Sequence, residues 1–424
     1  MNIYLDTVGC RLNQAEIEQY ARQFRAAGHS LVPSSDQADL VVINTCTVTA
    51  AAAADSRQKA RQASRNGARQ IVLTGCWSTL KPDEAAALPG VSRVISNLDK
   101  DRLVEEILEI QTETFDLEPV ERRPIPGART RTRAFIKAQD GCNNRCTFCI
   151  TTIARGESRS RPIEEIIVDI QAAHPAQEIV LTGVHLGSWG QDLSPRLSIQ
   201  HLVEQVLGRT SMPRLRLSSL EPWDLDDSFF ELWQNPRLCR QLHLPLQSGC
   251  ERTLRRMARK TTPQAFAELL QAARKAIPGV AITTDIITGF PGEDEQEFEE
   301  SLAFVRQMQF ADGHVFTYSA RSGTAAARMP AQVPQPIRKQ RNARMREALA
   351  ESTLAYQTGF LGQTLPVLWE SATSLGPQGW ELSGLTGNYL RVFARSTQQL
   401  WNQVTPVVLE QLDEHGFHGR ILED

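Results

Sequence analysis

Apolar and polar positions through the first hundred residues follow a strand-then-helix rhythm. Residues 2–8 alternate and are mostly apolar, residues 38–44 (ADLVVIN) form a strand-like run, and residues 70–74 form a third. Helical patterns at 13–27 and 48–66 separate them, closed by Gly28 and Gly67, the residue type that favours a helix stop. Strand, helix, strand in this order predicts a parallel sheet with right-handed crossovers. Farther along, strand patterns recur at 134–138, 178–182, 214–218, 241–246, 281–287 and 314–318, with helical patterns between most of them. Six such units are too few for a closed eight-unit barrel. They predict an open, partial (β/α)6 barrel with its chemistry in the loops after the strand carboxyl ends. Beyond a basic helix at 336–356, short runs at 365–369, 389–393, 406–408 and 420–422 are broken by Gly and Pro, which suggests a small antiparallel β-barrel. The expected class is α/β, in three units at 1–115, 128–356 and 357–424, with an irregular linker at 111–133.

A chain of 424 residues suits about three domains. The start lacks a basic stretch followed by an apolar one, and no run of about 18 apolar residues occurs, so a soluble, cytoplasmic protein with no membrane partner is expected. Eight cysteines in a reducing compartment favour metal ligands over disulfides. A net charge of -3 excludes wholesale electrostatic attraction to nucleic acid. Local patches remain: residues 121–161 carry ten Arg or Lys against three acids, and residues 321–350 seven against one. They read as RNA contacts or as solvated faces; only seven of the 46 basic residues are Lys, so arginine is abundant everywhere.

Cys142, Cys146 and Cys149 stand in a Cys-x3-Cys-x2-Cys loop just after an apolar run. The residues between them are mostly polar or small, so three thiols can converge on one soft-metal object. A structural zinc site needs a fourth ligand, usually from a second close pair, and none lies nearby. An iron–sulfur cubane held by three cysteines keeps one iron open to another ligand.

The other cysteines gain meaning from topology. Cys10, Cys46 and Cys76 each follow one of the first three strands, and in a parallel sheet all carboxyl ends meet one edge, where such sheets bind ligands. The alternatives are three unrelated buried thiols or a second three-cysteine cluster. Cys239 and Cys250 fit neither set and read as inert thiols.

The spacing of the central loop, with Phe148 directly before its last cysteine, resembles the signature of the radical S-adenosylmethionine (SAM) enzymes. With both cysteine sets in view, the whole chain resembles the radical SAM methylthiotransferases, which add a methylthio group to a tRNA adenosine or a ribosomal protein side chain. Residues 7–14 (TVGCRLNQ), 44–49 (NTCTVT) and 74–76 (TGC) are similar to the blocks that ligate that family's auxiliary 4Fe-4S cluster. Residues 139–142 (QDGC), 154–156 (ARG) and 158–161 (SRSR) are similar to its radical SAM block, and the tail resembles the RNA-binding TRAM domain. Residues 44–49 and 181–190 (LTGVHLGSWG) most resemble the branch acting on N6-threonylcarbamoyladenosine beside the anticodon.

The resemblance implies two 4Fe-4S clusters and SAM as cofactors. The Cys142/Cys146/Cys149 cluster would generate a radical, and the Cys10/Cys46/Cys76 cluster would hold the sulfur that is methylated and transferred. The hydrogen on carbon 2 of adenine is neither acidic nor displaceable, so a general base has no handle on it. Implied partners are the tRNA anticodon stem-loop, a flavodoxin- or ferredoxin-type electron donor and a sulfur donor. Phe148, Gly183, Ser219, Glu221, Gln247 and Asp285 are candidate SAM contacts. Gly183 opens space for close backbone approach, Ser219, Glu221 and Gln247 are polar residues at strand ends, and Asp285 is a carboxylate within an apolar strand that needs a partner. For each, a helix cap, a turn or a satisfied core polar group is the competing reading. His185 and His243 are expected in the core or behind the ligands, and Glu293 is expected to cap the helix that follows it.

Two departures bear on the resemblance. After Cys149 the chain reads Ile-Thr-Thr where the family commonly has Ile-Ile-Pro, although no ligand is lost. Past Phe360 three basic residues face seven acids, a poor phosphate binder, which shifts RNA contact to the arginines between Arg122 and Arg161 and to the 336–356 helix. Other acceptors fit the same cofactors: N6-isopentenyladenosine in tRNA or a ribosomal protein aspartate. A non-catalytic iron–sulfur protein that binds RNA is a reading from another class.

Overall fold

The computed structural model describes residues 1–110, 125–126 and 132–422. The expected linker at 111–133 therefore lies largely outside the described residues, as do Arg122, Arg123, Arg129 and Arg131.

The amino-terminal rhythm folds into the parallel sheet it predicts. Strands β1 (Asn2–Thr7), β2 (Ser30–Leu31), β3 (Leu40–Thr45), β4 (Gln70–Gly75) and β5 (Val91–Val94) align in the order β2-β1-β3-β4-β5. All four pairings are parallel. β3 is buried along its whole length, which explains why it reads as a continuous apolar run and not as an alternating one. The helices Arg11–Ala26 and Ala50–Arg65 cover opposite faces: Ile17, Tyr20 and Phe24 pack with Leu5, Leu40 and Val42 on one side, while Ala53, Ala60 and Ala63 pack with Val41, Ile43 and Leu73 on the other.

Next come β6 (Arg133–Lys137), a small hairpin of β7 (Gln139–Asp140) with β8 (Arg159–Ser160), then β9 (Glu178–Thr182), β10 (Arg214–Leu217), β11 (Gln241–His243), β12 (Ala281–Thr288) and β13 (Asp312–Thr317). β6, β9 and β10 form one parallel sheet and β11, β12 and β13 another. Parallel bridges from Leu215 to Leu238 and from Ser219 to His243 join the two. Six parallel strands in chain order, with one continuous apolar core, make the expected partial barrel. Its first two strands meet the amino-terminal unit where Phe135 and Val180 pack with Ala15.

The helix Gln335–Thr358 leads into a closed antiparallel-type barrel of β14 (Thr364–Ser374), β15 (Trp380–Thr386), β16 (Arg391–Ser396), β17 (Val404–Asp413) and β18 (Gly416–Ile421), with one parallel pairing between β16 and β18. Val367, Trp369, Leu382, Val392, Val407 and Phe417 fill it and are fully buried. The expected tail barrel is present, but β15 lay outside the runs read from the sequence and β17 is longer than its run. One helix start also differs from expectation. Asp294, not Glu293, caps the helix Glu295–Met308, accepting from the Glu297 N–H, because the shorter side chain reaches that donor. Glu293 instead accepts from Gly289 N and Arg341 Nη1. Among the described residues no helix is long and apolar enough to cross a membrane.

Candidate active site

Both cysteine sets lie at strand carboxyl ends, as the topology requires. Cys10 follows β1 and stands immediately before the helix Arg11–Ala26; Cys46 follows β3; Cys76 follows β4 and opens the short helix Cys76–Leu80. All eight cysteines are free of disulfides; Cys10 is exposed while Cys46 and Cys76 are buried. The three are drawn together through their neighbours. A Cβ on Gly9 would stand 2.6 Å from Cys46 Sγ. Cys10 Sγ lies 3.5 Å from Asn13 Oδ1, which accepts at 2.6 Å from Arg155 Nη2, and Arg155 Nε donates to Cys76 Sγ at 3.3 Å. Burial pushes the Cys46 thiol up to about 11, with Cys10 and Cys76 adding to the rise. A bound metal centre reverses that preference, because a coordinating thiol is deprotonated outright.

The second set shares one cavity. Cys142, Cys146 and Cys149 line an open space of about 500 Å³ together with Asn143, Thr152 and Gly323. The loop is pinned by Thr147, whose N–H donates to Met257 O at 3.0 Å and whose carbonyl accepts from Ala326 N at 2.9 Å. Cys142 Sγ lies 3.8 Å from His185 Nδ1, and the other ring nitrogen of His185 meets Asp224. Arg259 Nη1 lies 3.7 Å from Cys146 Sγ. Among the described residues no three Cys, His, Asp or Glu side chains converge tightly enough to hold a single metal ion. A cubane asks for something else, since each cysteine binds its own iron. Three free thiols around a shared cavity suit it.

The remaining candidates sit around the same end of the partial barrel, in different company. Phe148 packs edge-on against Phe290, with ring centroids 6.4 Å apart, and so belongs to a small apolar cluster with Met257 and Tyr318. The space beside Gly183 is taken by Gln139: a Cβ there would lie 2.8 Å from Gln139 Oε1. Gln139 uses that room to bond Asp140 O, Gly141 O and Ser158 Oγ at 2.7–2.9 Å, locking the hairpin that leads into Cys142. Ser219, half-buried, bridges to His243. Glu221 is held by Arg259 through contacts of 2.6 and 3.1 Å. Gln247 has a positive φ of 73° and bridges to Ile286. Asp285 Oδ2 lies 3.4 Å from His243 Nε2, while its Oδ1 is buried with no hydrogen-bond partner. A buried carboxylate oxygen without a donor is an acceptor kept for something else, which suits a cationic amino group such as the one SAM carries.

Sequence reasoning expected His185 in the core or behind the ligands, where it stands between Cys142 and Asp224, and counted Arg155 among the RNA-facing arginines, but it gave no role to Asn13, Asp224 or Arg259, although Asn13 lies inside a motif block. Between the two cysteine sets runs a buried charge network. Lys100 Nζ lies 2.5 Å from Glu16 and 2.7 Å from Asp140; Arg155 Nη1 lies 3.1 Å from Glu16 and 2.9 Å from Asp140; Lys137 Nζ lies 3.2 Å from Asp140. Burial alone pushes the Glu16 carboxyl up, but Lys100, Arg155 and Lys137 outweigh it and bring it down to about 2. A charged cluster this deep is tolerated only because each member faces an opposite charge.

Comparison with known proteins agrees with this geometry. Residues 136–305 match the model of the Radical SAM superfamily, and residues 2–96 match that of Uncharacterized protein family UPF0004. The chain is 35% identical to the threonylcarbamoyladenosine tRNA methylthiotransferase MtaB of Bacillus subtilis (strain 168), over 99% of this chain and 96% of that one. It is 34% identical to the protein of the same name from Thermotoga maritima, over 87% and 86%. With tRNA-2-methylthio-N(6)-dimethylallyladenosine synthase of Caldicellulosiruptor saccharolyticus it shares 30% identity over 99% and 92%. Among solved structures, the radical S-adenosylmethionine methyltransferase TsrM of Kitasatospora setae superposes with a TM-score of 0.58 at 14% identity, covering 77% of this chain and 74% of that one, a likeness of fold. Identity that runs nearly end to end, through both cysteine-bearing units, places this chain in the radical SAM methylthiotransferase family.

Proposed function

We propose that this enzyme adds a methylthio group to carbon 2 of N6-threonylcarbamoyladenosine beside the anticodon of tRNA, using SAM and two 4Fe-4S clusters. The observation that carries the reading is the bond from Arg155, six residues past Cys149, to Cys76 Sγ at 3.3 Å, which ties the helix just past one cysteine set to a cysteine of the other. The choice of acceptor is supported by relatives named for threonylcarbamoyladenosine at 34–35% identity. The 30% identical relative named for dimethylallyladenosine keeps that nucleoside as the second reading.

In this reading Cys142, Cys146 and Cys149 hold the cluster that binds SAM, and Cys10, Cys46 and Cys76 hold the other. When bound, the first supplies the electron that cleaves SAM to the radical needed at carbon 2, and the second supplies the sulfur. The protein's own contribution is placement. Gln139 and Gly183 fix the hairpin before Cys142; Phe148 anchors the loop on Phe290; Arg259 holds Glu221 beside Cys146. Asp285 Oδ1 stands ready to accept from the SAM amino group, and Ser219, Glu221 and Gln247 border the same strand ends. The partners belong to the same proposal: the tRNA anticodon stem-loop, an electron donor of flavodoxin or ferredoxin type, and a sulfur donor. So does the division into units at 1–115, 128–356 and 357–424.

Mass spectrometry of tRNA nucleosides from cells with and without the gene tests it. Loss of 2-methylthio-threonylcarbamoyladenosine on deletion is expected. An unchanged level of it, with loss of the isopentenyl counterpart, would move the assignment to the second reading.

A further inference from the structure

One side chain of the SAM unit reaches into the other cysteine set. Arg155 closes the short helix Thr151–Arg155, which starts two residues after Cys149, and is 1% exposed. Its Nε donates to Cys76 Sγ at 3.3 Å, its Nη2 to Asn13 Oδ1 at 2.6 Å, and its Nη1 to Glu16 Oε1 at 3.1 Å and Asp140 Oδ1 at 2.9 Å. The four partners lie on three segments: Cys76 opens the helix after β4, Asn13 and Glu16 stand on the helix after β1, and Asp140 ends the strand just before Cys142. The fork is therefore committed in every direction.

We infer that Arg155 is the positioning residue that fixes the amino-terminal cluster against the SAM loop and tunes that cluster's reduction potential. The inference rests on the reading that Cys10, Cys46 and Cys76 hold a cluster. Its logic is electrostatic. The innermost buried charges comprise two carboxylates, Glu16 and Asp140, against three cations, Lys100, Lys137 and Arg155, with the half-exposed Asp101 reaching Lys137 from outside. Nη1 is already paired with Glu16 and Asp140, so the Nε–H turned toward Cys76 is the edge of the guanidinium that gains a charged acceptor when Cys76 is a thiolate ligand. A donor and a positive charge on a ligating sulfur stabilise the more negative, reduced cluster and so raise its potential. The same contact ties Cys76 to a helix that begins beside Cys149, so the spacing of the two clusters follows from one guanidinium. Lysine cannot substitute, because a point charge does not serve four fixed acceptors at once.

The test uses the full chain with Cys142, Cys146 and Cys149 each replaced by Ser, reconstituted anaerobically with iron and sulfide. About four irons per chain are expected, with one cluster signal in a redox titration followed by electron paramagnetic resonance. Adding Arg155→Lys should preserve the fold and the iron yet shift the one-electron equilibrium toward the oxidised form by about tenfold, about 59 mV downward. Arg155→Met should shift it further. If Arg155→Met does not fold, Arg155→Lys decides alone, because it keeps the buried charge and loses the sulfur contact. A midpoint unchanged in Arg155→Lys, with iron retained, would overturn the role of Arg155 and leave the cluster standing. A parent protein with no iron would overturn the cluster itself, and the inference with it.

Discussion

Glu178 on β9 lies against Arg216 on β10, its two carboxylate oxygens 2.7 and 3.1 Å from Nε and Nη2 of a guanidinium with no exposed surface. The same arginine stacks over the Tyr389 ring at 4.0 Å and donates to Gly387 O at 3.0 Å, so the pair also seats the carboxy-terminal barrel on the partial barrel. Burial alone pushes the Glu178 carboxyl up; Arg216 and Arg214 outweigh it and hold it at about 2, against 4.5 for an ordinary glutamate. A lowered folded-state value means stability that is present above about pH 4.5 and is lost as the pH falls toward 2. Glu178→Gln leaves Arg216 buried without its countercharge, at a cost of about 3–5 kcal/mol near neutrality. Denaturant melts of wild type and variant should differ most above pH 5 and converge at about pH 2 and below. A constant difference across that range would refute the assignment.

Gly141, directly before Cys142, has φ of 71°, and a Cβ there would lie 1.9 Å from Glu157 O. Backbone oxygen cannot give way as a flexible side chain can. Gly141→Ala should therefore part the hairpin, displace Cys142 and lower iron content from about eight to about four per chain. Gly156→Ala is the control. Its φ is also positive, at 75°, but a Cβ there would meet only the side chains of Leu98 and Arg159, at 3.2 and 3.5 Å. It should cost about 1–3 kcal/mol in backbone strain and lose less iron than Gly141→Ala. Equal iron loss in both variants would show that strain, not the clash with Glu157, governs the loop.

Glu221 was expected to touch SAM, yet its carboxylate already serves Arg259, whose guanidinium also donates to Pro245 O and lies 4.6 Å over the Trp223 ring. The Arg259 side chain is 1% exposed. Removing its partner strands a buried cation, so Glu221→Ala should destabilise the cofactor-free protein by about 3 kcal/mol. Glu221→Gln keeps an acceptor but still removes the countercharge, and should cost less than Glu221→Ala. Calorimetry without SAM separates the roles: an unchanged melting temperature in Glu221→Ala would mean that the residue acts on the ligand alone.

The cysteine sets were legible because strand ends are legible. Runs such as 38–44 and 70–74 announce where a parallel sheet ends, and the thiols follow two residues later. The buried network was not legible. Lys100, Glu16, Asp140 and Arg155 look like ordinary surface charges in sequence, and only the crossing of the amino-terminal unit with β6 buries them together. β15 escaped notice because Gly384 interrupts its apolar alternation; a Cβ there would lie 2.4 Å from Leu368 O, so close packing against β14 requires the interruption. β17 looked short because a bulge between Leu409 and Gln411 shifts its register partway along. The cap of the helix Glu295–Met308 could have been found, since Asp294 and Glu297 have capping-box spacing.

The arginines of the two basic stretches are largely committed inside the protein, and this decides where tRNA should be held. Arg133 pairs with Glu370, Arg155 with Glu16 and Asp140, and Arg161 with Asp169. On the helix Gln335–Thr358, Arg341 pairs with Glu293 and Glu295, and Arg344 with Glu295 and Glu299. A paired guanidinium releases few counterions on meeting a phosphate, and a tail with three basic residues against seven acids offers little attraction. Arg122, Arg123, Arg129 and Arg131, in the same basic stretch, lie outside the described residues and form the set to test. Each phosphate contact contributes about 0.7–0.9 to the slope of log affinity against log salt. Replacing all four by Gln should flatten that slope by about 3 for an unmodified anticodon stem-loop, measured by fluorescence anisotropy at several salt concentrations. Replacing Arg391, Arg395 and Arg420 together should change it by less than about 1. The reverse order would place the phosphate contacts on the carboxy-terminal barrel.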